Sequence, residues 1–139
     1  MRRTARENAF KLIFERSVSG GTGNISYAVL THALSEDEKS YFDLIVNTVT
    51  SNQQLLTDVI AMYAHGYDID RIYKIDLSIL LISASEILFI EDVPDKVAVN
   101  EALELSKIYS TDNSPSFING ILASVIRNKE DILSELENN

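Results

Sequence analysis

The stretch from Glu91 to Leu122, EDVPDKVAVNEALELSKIYSTDNSPSFINGIL, contains two helix starts separated by a short polar loop. Pro94 opens KVAVNEALELSKIY, and proline suits a helix start because the first turn has no use for the missing N–H. Ser114-Pro115 opens SFINGIL in the same way, with Ser114 as the predicted cap. Immediately before this pair, Leu77 to Ile90 is apolar around most of its circumference and carries Glu86. A segment of that kind is a helix surrounded by other helices. It is shorter than a membrane span.

Working outward, the first helix is predicted over Thr4–Ser19, with Ala5, Ala9, Leu12, Ile13 and Arg16 on one stripe and Phe10 and Phe14 on a second. Gly20-Gly21-Thr22-Gly23 ends it, without the spacing or the lysine of a phosphate-binding loop. Asn24 is the predicted cap of a short helix through Ala33. Ser35-Glu36-Asp37-Glu38 has the form of a capping box, with acids suited to the positive end of the following helix. That helix is predicted to reach about Ala64, bending around Thr50-Ser51-Asn52, before a midpoint loop at His65-Gly66-Tyr67-Asp68. At the far end, Ile132, Leu133 and Leu136 keep helical spacing, so the last helix is predicted to continue toward Asn139. No strand-like alternation and no internal repeat interrupts the pattern. The chain reads as one all-α domain over residues 1–139, with halves of about 1–67 and 68–139.

The totals agree. At 139 residues with 45% apolar content, the chain suffices for one real core, and few glycines and prolines leave few tight turns. It has no cysteine, hence no disulfide, thiolate metal site or thiol nucleophile, as expected of a cytoplasmic protein. The N-terminal arginines are not followed by the apolar run of a signal peptide. His32 and His65 have no spaced partner for a metal, and no serine lies in a nucleophile elbow. No catalytic constellation, metal site or cofactor is therefore expected.

The net charge of −9 conceals an asymmetry. Residues 1–16 hold Arg2, Arg3, Arg6, Lys11 and Arg16 against Glu7 and Glu15, a balance of +3, so the remainder stands at −12. A basic arm on an acidic body points to a local polyanion contact. Arg2 and Arg3 are expected ahead of the first helix and Arg6 in its first turn, where cations gain nothing from the helix dipole. Arginine suits phosphate through its planar fork and also stacks on unpaired bases.

The order DVPxKVAxNEAxELxK, a polar loop and DxSPxFxNGxL closely resembles the C-terminal half of the NusB family of transcription antitermination factors. The opening RRTARENAFKLIFE resembles the same family's N-terminus, so the likeness covers nearly the whole chain. It implies two small helical bundles packed together. It also implies single-stranded boxA RNA bound through the arginine-rich end, which carries over to Arg2, Arg3 and Arg6; Thr4 stands where many relatives have a further base. The resemblance places Phe117 beside the RNA, against the alternative of a core aromatic. It places Phe14 and Asp76 on the face that meets ribosomal protein NusE, although Asp76 also makes sense as a first-turn acid. Asn100 and Glu101 read as structural, and Asn119-Gly120 as a close helix contact. The implied role is an adaptor acting with NusE in the transcription complex on ribosomal RNA, with no membrane and no turnover. The rivals are a protein-interaction module or homodimer with little RNA affinity, and a relative of the NusB-like domain of ribosomal RNA methyltransferases. The sequence through Asn139 offers no cofactor-binding domain for the latter.

Overall fold

The helix Lys74–Phe89 lies at the centre of the molecule because its sequence offers no polar face: every residue from Ser78 to Leu88 is buried. The computed structural model describes residues 2–20 and 24–138 and, among them, shows eight α-helices and no strand. In chain order these are α1 (Arg2–Ser19), α2 (Asn24–Thr31), α3 (Glu36–Ser51), α4 (Gln53–Tyr63), α5 (Lys74–Phe89), α6 (Asp95–Tyr109), α7 (Ser114–Arg127) and α8 (Lys129–Glu137). A single 3-10 turn, Ile69–Arg71, leads into α5. None of these helices is long and apolar enough to cross a membrane. α5 touches α1, α3, α4, α6 and α7, and the buried apolar side chains of these helices form one continuous core.

Local chemistry sets the boundaries. The capping box at Ser35 forms in full: its hydroxyl accepts the Glu38 N–H at 3.1 Å, and the Glu38 carboxylate accepts the Ser35 N–H at 2.9 Å. Gly20, at φ +69°, closes α1 with its N–H on the Arg16 carbonyl, a left-handed position that favours glycine. Gly21, Thr22, Gly23 and the Asn24 side chain lie outside the described residues and atoms.

Two asparagines break what the hydrophobic spacing reads as continuous helix. Asn52 ends α3 and starts α4, and its side-chain amide donates to the Thr48 carbonyl at 2.8 Å. Asn128 does the same between α7 and α8, donating to the Ser124 carbonyl at 2.8 Å. The first bend matches the expected one. The second corrects the expectation of a continuous last helix, since one non-helical residue hardly disturbs the spacing of Ile132 and Leu133.

Three further expectations change. α1 begins at Arg2, so Arg2 and Arg3 belong to the helix instead of preceding it. Ser114 is the first residue of α7 and not its cap; Asn113 occupies that position and Pro115 sits in the first turn. At Gly120 an added Cβ meets nothing within 4 Å, so this glycine does not mark a close helix contact.

Candidate nucleic-acid and partner interface

The first two turns of α1 place Arg2, Arg3 and Arg6 in three different environments. Arg6 is 4% exposed, and its guanidinium forks onto Glu86, with Nε at 2.9 Å and Nη2 at 2.7 Å from Oε2. Glu86, on the central helix, is 0% exposed, so this is a desolvated ion pair. Tyr41 of α3 completes the group by donating its hydroxyl to Glu86. Burial, and then the Glu86 carboxylate, push the Tyr41 phenol above its ordinary value. The associated stability is therefore fully present below about pH 10 and is lost as pH rises further. Arg6 is a structural residue here, and its expected place on the RNA-facing surface is corrected on that ground.

Arg2 and Arg3 remain at the surface. The Arg2 guanidinium lies 4.3 Å above the Tyr41 ring, with Nη2 2.7 Å from Asp92. Arg3, with its side chain 69% exposed, binds Glu101 through Nε and Nη2, both at 3.1 Å. The two border a depression of about 420 Å³ floored by Val93, Pro94 and Val97. Glu101 pairs with Arg3 across the surface between α6 and α1. Asn100 is exposed and its side chain makes no hydrogen bond among the described residues, so the structural contact expected of that side chain is absent.

Asp76 is 3% exposed, so the structure does not display it as an acidic contact. Its carboxylate accepts the Ser110 hydroxyl at 2.6 Å and the Ser114 hydroxyl at 3.0 Å, fastening the start of α5 to the α6–α7 turn. Ser114 also accepts the Thr111 N–H at 3.3 Å. Asp76 thus shapes its face from beneath. Phe14 is half-buried against the core and stacks on Phe10 at 6.3 Å, while Phe10 meets Tyr109 at 5.2 Å. Lys74 donates to the Ser17 carbonyl at 3.2 Å, joining the end of α1 to the start of α5. Phe14 and Asp76 therefore belong to elements that meet.

Phe117 lies between the two expectations for it. It is half-buried, packs on the core and meets Tyr67 edge-on at 5.1 Å. Phe117→Ala is expected to cost about 1.5–2.5 kcal/mol, roughly half the ~3–5 kcal/mol of a fully buried phenylalanine. Denaturant melts check this, and a wild-type midpoint would show that the ring carries no packing. Sequence reasoning passed over Tyr67, Arg71 and Tyr73, which share a cleft with Phe117. Their only signal was an aromatic-rich midpoint segment, YDIDRIY. Among the described residues no group of acids and histidines is placed to hold a metal.

The NusB family model matches residues 3–127. The transcription antitermination protein NusB of Clostridium novyi (strain NT) is 40% identical over 134 residues, covering 91% of this chain and 98% of the relative. That of Alkaliphilus oremlandii (strain OhILAs) is 32% identical over 136 residues, covering 96% and 99%. Among solved structures, T. maritima NusB superposes with a TM-score of 0.79 at 25% identity, over 96% of this chain and 97% of that one. A chain from a complex of antitermination factors NusB and NusE with double-stranded RNA gives 0.82 at 19% identity, over 91% and 96%, a likeness of fold. An all-α core around α5, an arginine-bearing first helix and matches running nearly end to end lead to one assignment: the chain belongs to the NusB family.

Proposed function

We propose that the protein is a transcription antitermination factor that binds boxA-type single-stranded RNA together with ribosomal protein NusE during ribosomal RNA transcription. Relatives matched over almost their whole length carry the antitermination name, and a chain of the same fold comes from a complex with NusE and RNA. The observation that carries the reading is the pair of exposed arginines, Arg2 and Arg3, at the edge of an otherwise acidic molecule. Arg2 meets Asp92 through one nitrogen and the Arg3 fork holds Glu101 through two, and a phosphate, which also offers paired acceptor oxygens, exchanges with these carboxylates. The Tyr41 ring beneath Arg2 keeps its guanidinium oriented during the exchange. NusE contacts the face that Phe14 and Asp76 help to build, and its basic groups offset the acidic body. The protein acts as an adaptor within the transcription complex.

Replacing both Arg2 and Arg3 with alanine is expected to weaken RNA binding while leaving the melting temperature near that of the wild type, because surface ion pairs stabilise little. The log–log salt slope should flatten by roughly 1.4, about 0.7 for each single-strand phosphate no longer neutralised. Titrating labelled boxA-type RNA at several salt concentrations measures both effects. An unchanged affinity and slope would remove the arm from the RNA-binding surface.

A further inference from the structure

We propose that the groove between α4 and α8 is a docking site for a basic amphipathic helix of a partner protein, which seats apolar side chains against Met62 and its cations on Asp58, Asp131 and Glu135. The groove encloses about 370 Å³, and no residue of α1, α5 or α6 lines it. It is therefore separate from the arginine arm and from the face that Phe14 and Asp76 help to build. Leu55, Val59 and Met62 form the α4 wall at helical spacing, and Ile132 and Leu136 supply the α8 wall. Met62 is 60% exposed, so the apolar lining reaches the surface. From Leu55 to Met62 the rise is about 10 Å, at ~1.5 Å per residue, which matches two turns of a helix laid in the groove. α8 itself is lightly held: none of its residues is buried, and Ile132 and Leu133 pack only partly on the core. It also lies beyond residues 3–127, so one wall stands outside the part of the chain that the family model matches.

Charge identifies the occupant. Asp58, Asp131 and Glu135 line the groove, and no lysine or arginine does. Asp58 accepts the Gln54 amide at 2.9 Å, and none of the three acids forms an ion pair among the described residues. The one lysine of α8, Lys129, is turned to Asp95 of α6 at 3.0 Å. Asp131 and Glu135 stand four residues apart, where like charges repel across one turn. Glu135 also lies at the negative end of the α8 dipole, with no base in that last turn. A cation from outside relieves both repulsions. RNA would instead bring phosphates against three carboxylates. A second copy would present the same acids, and its arginines at the start of α1 are already engaged with Asp92, Glu101 and Glu86. A basic amphipathic helix supplies both missing elements, apolar side chains for the walls and cations for the rim. Methionine suits such a surface, because its unbranched thioether adapts to the side chain it meets.

The test uses the full chain and a fluorescein-labelled synthetic helix of leucine, alanine and lysine, with leucines along one face and lysines beside them, read by anisotropy. The wild type should bind it roughly 10-fold more tightly than a scrambled peptide of the same composition. Met62→Ser is expected to weaken binding roughly 10-fold, the order of one apolar side chain left uncovered, and Met62→Leu should bind like the wild type. Because Met62 is exposed, Met62→Ser should keep the wild-type melting temperature. The triple variant Asp58→Asn, Asp131→Asn, Glu135→Gln should bind weakly and lose most of the salt dependence. A control triple, Asp70→Asn, Glu91→Gln, Asp112→Asn, removes the same charge from exposed acids elsewhere and should bind like the wild type. Equal binding of ordered and scrambled peptides, or an equal loss in the two triple variants, overturns the groove and leaves only attraction to an acidic protein. Full peptide affinity in Met62→Ser also overturns it. So does a Met62→Ser variant that loses RNA affinity or a self-association seen by sedimentation, because the occupant is then RNA or a second copy.

Discussion

Arg6→Ala is expected to destabilise the protein by about 3–5 kcal/mol, the cost of removing one partner from a buried ion pair. Glu86 is 0% exposed, and the Arg6 fork and the Tyr41 hydroxyl are its hydrogen-bond partners. With the cation gone, a carboxylate at the centre of the bundle has no opposite charge beside it. Arg6→Lys should recover only part of the loss, since an ammonium cannot reproduce the fork. Replacing Arg6 and Glu86 together with methionine and leucine should be far milder than Arg6→Ala, because an apolar pair of similar volume removes both desolvation costs. Denaturant melts of the three variants measure the series. Wild-type stability in Arg6→Ala, with RNA binding abolished, would show that Arg6 faces RNA and not Glu86.

The second large effect is expected at Asp76. Asp76→Ala should cost about 1–3 kcal/mol, because the Ser110 and Ser114 hydroxyls lose their acceptor in a largely enclosed setting. Asp76→Lys should cost more, since it places a cation where the protein offers a site 3% exposed and shaped for an anion. Both changes release the α6–α7 turn from α5, so the head of α7 and Phe117 lose their register. RNA and NusE binding should then fall together, as a consequence of structure. Hydrogen exchange over residues 110–114 provides the measurement. An unperturbed turn in Asp76→Lys, with only NusE binding abolished, would return Asp76 to a direct contact role.

These two residues show how far the sequence could be read. The all-α class, the central helix, the capping box and the bend at Asn52 follow from local signals that tertiary packing reinforces. Arg6 does not, because a run of arginines looks like a solvated arm and its partner lies 80 residues away. Glu86 was the available clue: one acid in an otherwise apolar segment requires a buried cation or donor. Asp76 hides in the same way, since serines across a turn bind it and serines carry no pairing signal in sequence. The break at Asn128 was invisible for the opposite reason, as helical spacing continues across it. The cleft formed by Tyr67, Arg71, Tyr73 and Phe117 brings the midpoint segment together with the head of α7, a juxtaposition that only the fold supplies.

The acidic body makes the adaptor account depend on linkage. A balance of −12 outside the first sixteen residues repels RNA away from the arm, so the protein alone should bind weakly. A basic partner docked beside the RNA relieves that repulsion and contributes phosphate contacts of its own. If NusE raises RNA affinity by some factor, RNA must raise NusE affinity by the same factor. The most direct test titrates labelled boxA-type RNA into the protein with and without NusE at low and high salt, then titrates NusE with and without RNA. The account predicts weak, salt-sensitive binding alone, tighter binding with NusE and equal enhancement in the reciprocal titration. Tight RNA binding by the protein alone, insensitive to salt and unchanged by NusE, would contradict it.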